Sequence, residues 1–177
     1  RDQYLAESVA QVDRLAAMVN DVLRSGSVAE QALRQEKRLR IDKLITEVVD
    51  DYMLLAKTRN MAFTVNTEPT TIRANHDMMR HVISNLVSNA VRHGDAGSVI
   101  TITCDQHELA IENACKPLTK QQLQHVFDPF YRSNVATKQR ANSSGIGLYT
   151  VKMLLDAKGL DYDFTPHGRG MRFIVKL

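Results

Sequence analysis

Two asparagines, Asn85 and Asn89, stand one turn apart in a stretch whose apolar residues recur with helical spacing, and a glycine turn further along, Gly145 and Gly147, opens a second helical stretch. This pair of segments constrains the chain more than any other feature. In the first, NLVSNAVRHG (85–94) and the residues before it, Val82, Ile83, Leu86, Val87, Ala90 and Val91 supply one apolar face. Asn85 and Asn89, at i and i+4, lie one above the other beside that face, and Arg92 and His93 follow at i+3 and i+4 from Asn89. Asparagine competes with the helix backbone for hydrogen bonds, so two in an apolar helix need a reason. A side-chain carbonyl oxygen, a second amide and a cation on one face suit Mg²⁺ held with phosphates. The plain alternative is a pair of exposed or core-bonded asparagines.

The second segment, SSGIGLYTVK (143–152), places Ile146 between Gly145 and Gly147, and LYTVKMLLDAKG continues as helix. Glycine lets a backbone approach a phosphate closely, and a helix N-terminus offers unpaired N–H groups at the positive end of its dipole. An isolated G-x-G is as common in ordinary loops, so its weight comes from following the asparagine helix. Between the two lies HVFDPFYRSN (125–134), a tight apolar and aromatic cluster, followed by a polar stretch with Lys138, Arg140, Asn142 and Ser143. This is the anatomy of a loop anchored at its base and mobile at its tip, as in an active-site lid or in a plain surface loop.

The rest of the chain frames these segments. Leu5, Val9, Val12, Ala16, Val19 and Leu23 form a coiled-coil-like stripe, which needs partner helices to be buried. Ser25–Gly26–Ser27 breaks it. Residues 1–25 are therefore expected as a bundle or dimer helix, 26–37 as a linker and 38–177 as one domain. Within that domain a short strand is expected near Leu39, then a helix capped by Asp42 with Leu44, Ile45, Val48, Val49, Tyr52 and Leu55 inward. Strands are expected over 61–67 and 71–74, a hairpin over 98–113 turning at Gln106–His107, and a second hairpin over 160–177 turning through PHGRG. The pattern is α+β: one mixed, mostly antiparallel sheet covered by helices on one face, a two-layer α/β sandwich.

Composition removes several function classes. A net charge of +3 with scattered basic residues and no interleaved aromatics argues against nucleic acid as a partner. No apolar run is long enough to span a bilayer, so no membrane contact is expected from this chain. The two cysteines, Cys104 and Cys115, have no metal-site spacing and read as reduced thiols of a cytosolic compartment.

In order and spacing these segments resemble the N box (Asn85–Gly94), F box (FDPFYR, 127–132) and G2 box (SGIGLYTVK) of bacterial sensor histidine kinases, within the wider family that includes gyrase B and Hsp90. The resemblance covers nearly the whole chain. It implies a Bergerat-type ATP-binding fold for 38–177, preceded by the second helix of a dimerisation and phosphotransfer hairpin. It implies ATP and Mg²⁺ as cofactors, with Asn89 ligating the metal and Asn85, Asn89 and Arg92 as the catalytic set. It further implies nucleotide contacts from His93, Asn113, Cys115, Pro117, Leu118, Phe127, Phe130, Ser144, Gly145, Ile146, Gly147 and Leu148. The reaction implied is transfer of the ATP γ-phosphate to a histidine, with relay to a response regulator. Homodimerisation through the N-terminal helix, and a cytoplasmic domain of a protein anchored in the cell membrane, are implied as well.

Three departures from the family pattern stand out. In the G1 box, usually D-x-G-x-G, Asn113 replaces the aspartate that accepts from the adenine amino group, and Cys115 and Pro117 replace glycines. Ser143 occupies the first glycine position of the G2 box. None of His76, His81, His93, His107, His125 or His167 lies in the phosphoacceptor context, so the acceptor is expected on a segment before Arg1. The altered G1 box keeps a second reading open: a degenerate nucleotide module acting in dimerisation or partner binding without kinase activity. An ATP-hydrolysing chaperone or topoisomerase domain would prefer glutamate at Asn85.

Overall fold

The structure, a computed structural model, describes residues 35–131 and 145–177. The expected N-terminal helix, most of the linker, Ser143 and Ser144 lie outside the described residues. Strand β1 (Lys37–Arg40) runs directly into helix α1 (Ile41–Thr58), followed by β2 (Ala62–Thr67), β3 (Thr71–Ala74) and α2 (His76–His93). Then come β4 (Val99–Cys104), β5 (Glu108–Ala114) and the short α3 (Lys120–His125). Helix α4 (Gly147–Lys158) and the hairpin β6 (Tyr162–His167) and β7 (Gly170–Lys176) complete the fold.

Five strands form the main sheet in the order β2-β4-β5-β7-β6. The β2–β4 pair is parallel, because β3 and α2 carry the chain back across the sheet between them, and the other pairs are antiparallel. Strand alternation gives the sheet two different faces. Ile100, Ile102, Leu109, Ile111, Phe173 and Val175 point to one face and are buried against α1, α2 and α4. On the other, Arg172 lies 3.0 Å from Glu108 and 3.1 Å from Glu112. This is the two-layer α/β sandwich expected from the sequence.

Local physics moved some details. β1 and β3 pair with each other in a separate two-stranded ribbon and do not join the main sheet. The last hairpin turns more tightly than expected: Pro166 lies inside β6, opposite Met171. β6 is an edge strand, where proline's missing N–H breaks no ladder. Asn75 caps α2, its side chain accepting from Met78 N at 3.0 Å.

Asp42 does not cap α1; it lies within the first turn, and the residue before the helix is Arg40. The Arg40 guanidinium donates to both Asp42 oxygens (2.8 and 2.6 Å), and Thr70 N donates to Oδ1 at 3.2 Å. The Arg40 bond, with help from Thr70, holds the Asp42 carboxyl at about 2. A carboxyl lowered in the folded state adds stability above its unfolded value of about 4, and that contribution disappears as pH falls from there through about 2. Asp42→Asn is therefore expected to lower the denaturation midpoint at pH 7. The gap from the parent chain should close between about pH 4 and pH 2 in urea titrations, and a gap independent of pH would show the ion pair to be irrelevant.

Candidate nucleotide site

Helix α2 carries the first set of candidate residues. Its buried side, Val82, Ile83, Leu86, Val87, Ala90 and Val91, packs into the core, which leaves Asn85 and Asn89 half-buried along one edge. The Asn85 amide nitrogen donates to His81 O at 2.9 Å. Its Oδ1 faces the start of α4: a Cβ added to Gly147 would lie 3.1 Å from it. The two sequence motifs thus meet in space, and a side chain at Gly147 would press on the Asn85 amide. Asn89 stands one turn further along the same edge.

The end of α2 is tied to the end of β5. Asp95 N donates to Ala114 O at 2.8 Å. The Arg59 guanidinium, at the end of α1, donates to Gly94 O at 2.9 Å and also to Val91 O. Arg59 therefore fixes the last turn of α2, where Arg92 and His93 lie. Sequence reasoning missed it, because nothing in a basic residue after a helix distinguishes a carbonyl clamp from a solvated end. Arg92 is exposed and its Nε donates to Ser88 Oγ at 3.1 Å. His93 is half-buried.

Strand β5 brings Asn113 to the same region. Its inward row runs Leu109, Ile111, Asn113, and its register partners are Ile100 on β4 and Met171 on β7. The Asn113 Nδ2 is buried and has no hydrogen-bond partner among the described residues. Beyond it Cys115 N donates to Arg169 O at 3.2 Å, Pro117 is exposed, and Leu118 N approaches Met171 Sδ at 3.4 Å.

The base of the expected lid is held in two ways. The Phe127 ring meets Tyr162 and Phe173 edge-on, with centroids at 5.5 and 6.2 Å. Phe130 is 53% exposed, and the hold there is made by the backbone, Phe130 N donating to Gly145 O at 3.0 Å. Phe130 has φ +65°, which turns its side chain outward. Gly145 has φ +71°, and a Cβ there would lie 3.0 Å from Phe130 C and Tyr131 O. Only glycine fits that contact without strain. Ile146 is buried and Leu148 half-buried at the start of α4. Ser144 lies outside the described residues.

The two thiols differ. Burial pushes Cys104 up to about 11, which leaves it protonated at neutral pH, while Cys115 is only half-buried. Among the described residues, no group of three or more His, Cys, Asp and Glu side chains could hold a metal. None of their helices is long and apolar enough to cross a membrane.

Residues 74–177 match the family described as histidine kinase-, DNA gyrase B- and HSP90-like ATPases. Sensor histidine protein kinase HK06 of Streptococcus pneumoniae serotype 2 is 31% identical over 176 residues, covering 99% of this chain and 39% of that protein. The chain thus spans well under half the length of this relative. The catalytic domain of histidine kinase ThkA superposes with a TM-score of 0.70 at 21% identity, covering 81% of this chain and 96% of that domain. A structure of ThkA in complex with response regulator protein TrrA gives 0.72 at 19% identity, covering 96% of this chain and 48% of that one. The family match spans more than half of the chain and takes in every candidate site residue, so the chain belongs to the family of histidine kinase-, DNA gyrase B- and HSP90-like ATPases.

Proposed function

We propose that this chain is the ATP-binding part of a sensor histidine kinase and delivers the γ-phosphate of Mg·ATP to a histidine on a separate segment, for relay to a response regulator. The observation that carries this reading is the contact of Asn85 with the position of Gly147. It packs an amide-lined helix edge against a side-chain-free helix start, the cradle a polyphosphate needs. The residues also fit the base: the Asn113 Nδ2, unpartnered among the described residues, is a donor free for a ligand acceptor. A donor set of neutral amide oxygens suits Mg²⁺ that arrives bound to phosphates and keeps several waters. When bound, Mg²⁺ would neutralise charge on the phosphates, with Asn89 as its protein ligand. The chain's own part is positioning: Asn85, Asn89 and Arg92 along the phosphates, and Gly145 to Leu148 beneath them. HK06 is named a sensor kinase, and ThkA has been seen with a response regulator, which supports the relay. The stripe over residues 5–23 supports a homodimer helix, and membrane anchoring of the whole protein completes the proposal.

Incubated with γ-labelled ATP, this chain alone should acquire no label, since none of its histidines has the acceptor context. Mixed with a chain that carries the acceptor helix, it should label that helix with acid-labile phosphate. Acid-labile label on this chain alone, or no transfer in the mixture despite ATP binding, would overturn the assignment.

Cys115 and Pro117, where the family usually has glycine, favour a second reading: a nucleotide-fold module without kinase activity. The two separate at Cys115. If a nucleotide base lies against the end of β5, saturating Mg·ATP should slow Cys115 alkylation at least about tenfold, with Cys104 unreactive throughout. A reactive Cys115 that nucleotide does not protect would favour the non-kinase module.

A further inference from the structure

Asn113 is the only polar side chain in its inward row of β5: Leu109 and Ile111 precede it, and Ile100 and Met171 flank it on the neighbouring strands. Its Nδ2 is buried without a hydrogen-bond partner among the described residues. A buried amide donor left unpaired costs stability, so its most economical explanation is a ligand acceptor that completes it.

The kind of acceptor follows from the chemistry of the side chain. A carboxylate only accepts hydrogen bonds, whereas an amide presents a donor and an acceptor side by side, and the two exchange when it turns over. The edge of a 6-aminopurine offers an amino donor beside the N1 acceptor. The edge of a 6-oxopurine offers a carbonyl acceptor beside an N1–H donor. A carboxylate at position 113 would accept from the first and repel the carbonyl of the second. Asn113 complements both, with Oδ1 and Nδ2 exchanged. It also carries no charge that would reject an oxygen at position 6.

We propose that Asn113, standing where the family's aspartate reads the base, admits 6-oxopurine as well as 6-aminopurine nucleoside triphosphates. The inference rests on the nucleotide reading of the site given above. Inosine triphosphate is the cleanest probe, since its base differs from that of ATP only along the 1,6 edge. Displacement of trinitrophenyl-ATP in the presence of Mg²⁺ gives the affinities of ATP and inosine triphosphate for the unmodified chain and for Asn113→Asp. Inosine triphosphate should bind the unmodified chain within about tenfold of ATP. Asn113→Asp should widen that ratio in favour of ATP by about tenfold or more, because the carboxylate loses the donor and repels the oxo group. The parent ratio needs no variant, so it decides the matter even if Asn113→Asp folds poorly. A preference for ATP above about a hundredfold in the unmodified chain, or a ratio that Asn113→Asp leaves unchanged, would overturn the inference while leaving an ATP site standing. If neither nucleotide displaces the probe, the nucleotide reading falls, and this inference with it.

Discussion

Asn89→Ala is expected to abolish Mg·ATP binding, lowering affinity by at least about a hundredfold, while the domain stays folded. Asn89 lies at the half-buried edge of α2, one turn beyond the Asn85 that meets Gly147, and on the side away from the apolar core. Among the described residues no acidic or imidazole cluster could hold a divalent ion by itself. A metal entering with the nucleotide would then depend on the Asn89 amide oxygen, because the Oδ1 of Asn85, one turn away, faces the start of α4 at Gly147. The fold should tolerate the change, since alanine favours a helix by roughly half a kcal/mol over asparagine. Calorimetry in Mg²⁺ and in EDTA separates the effects: the loss should be large with Mg²⁺ and small without it. Unchanged Mg·ATP affinity in a folded Asn89→Ala chain would remove Asn89 from the site.

The fold was legible, because it rests on strong local signals, and the same signals single out the segments proposed to hold the nucleotide. Alternation in SVITITCD and MRFIVKL set the strands, and the apolar spacing around Asn85 and Asn89 set the central helix. What the sequence hid were relations between distant segments. The pairing of β1 with β3 outside the main sheet joins segments as far apart as Lys37 and Ala74, which no local pattern records. The Arg59 clamp on the end of α2 joins residues more than thirty positions apart. Phe127 and Phe130 look equivalent in FDPFYR, yet one ring is packed against Tyr162 and Phe173 and the other is turned outward. A backbone turn of positive φ at Phe130 separates them, and a bulky residue gives no warning of such a turn. The unpaired Nδ2 of Asn113 was equally invisible, because the substitution could be read but its burial could not.

Gly170→Ala is expected to be the most damaging single-methyl change at the sheet end of the site. Gly170 opens β7 opposite Ala114 of β5, on a strand flanked on both sides. A Cβ built there would fall 2.0 Å from Asn113 O and 2.9 Å from Ala114 Cα and Asn113 C. All three are backbone atoms, so no side-chain rotation can relieve the overlap, and β7 would have to move away from β5. Overpacking that forces a backbone shift costs about 1–3 kcal/mol, and this contact belongs at the upper end. For a domain of this size that is a fall in Tm of roughly 6–12 °C. The same displacement would carry Asn113 and its partner Met171 out of register, so nucleotide affinity should fall together with stability. Thermal and urea denaturation measure the first, and titration well below the lowered Tm measures the second. An alanine variant within about 0.5 kcal/mol of the parent chain would show that β5 and β7 can separate at this end without cost. Stability lost with affinity unchanged would instead detach the end of β5 from the nucleotide, and with it Asn113 as the residue that reads the base.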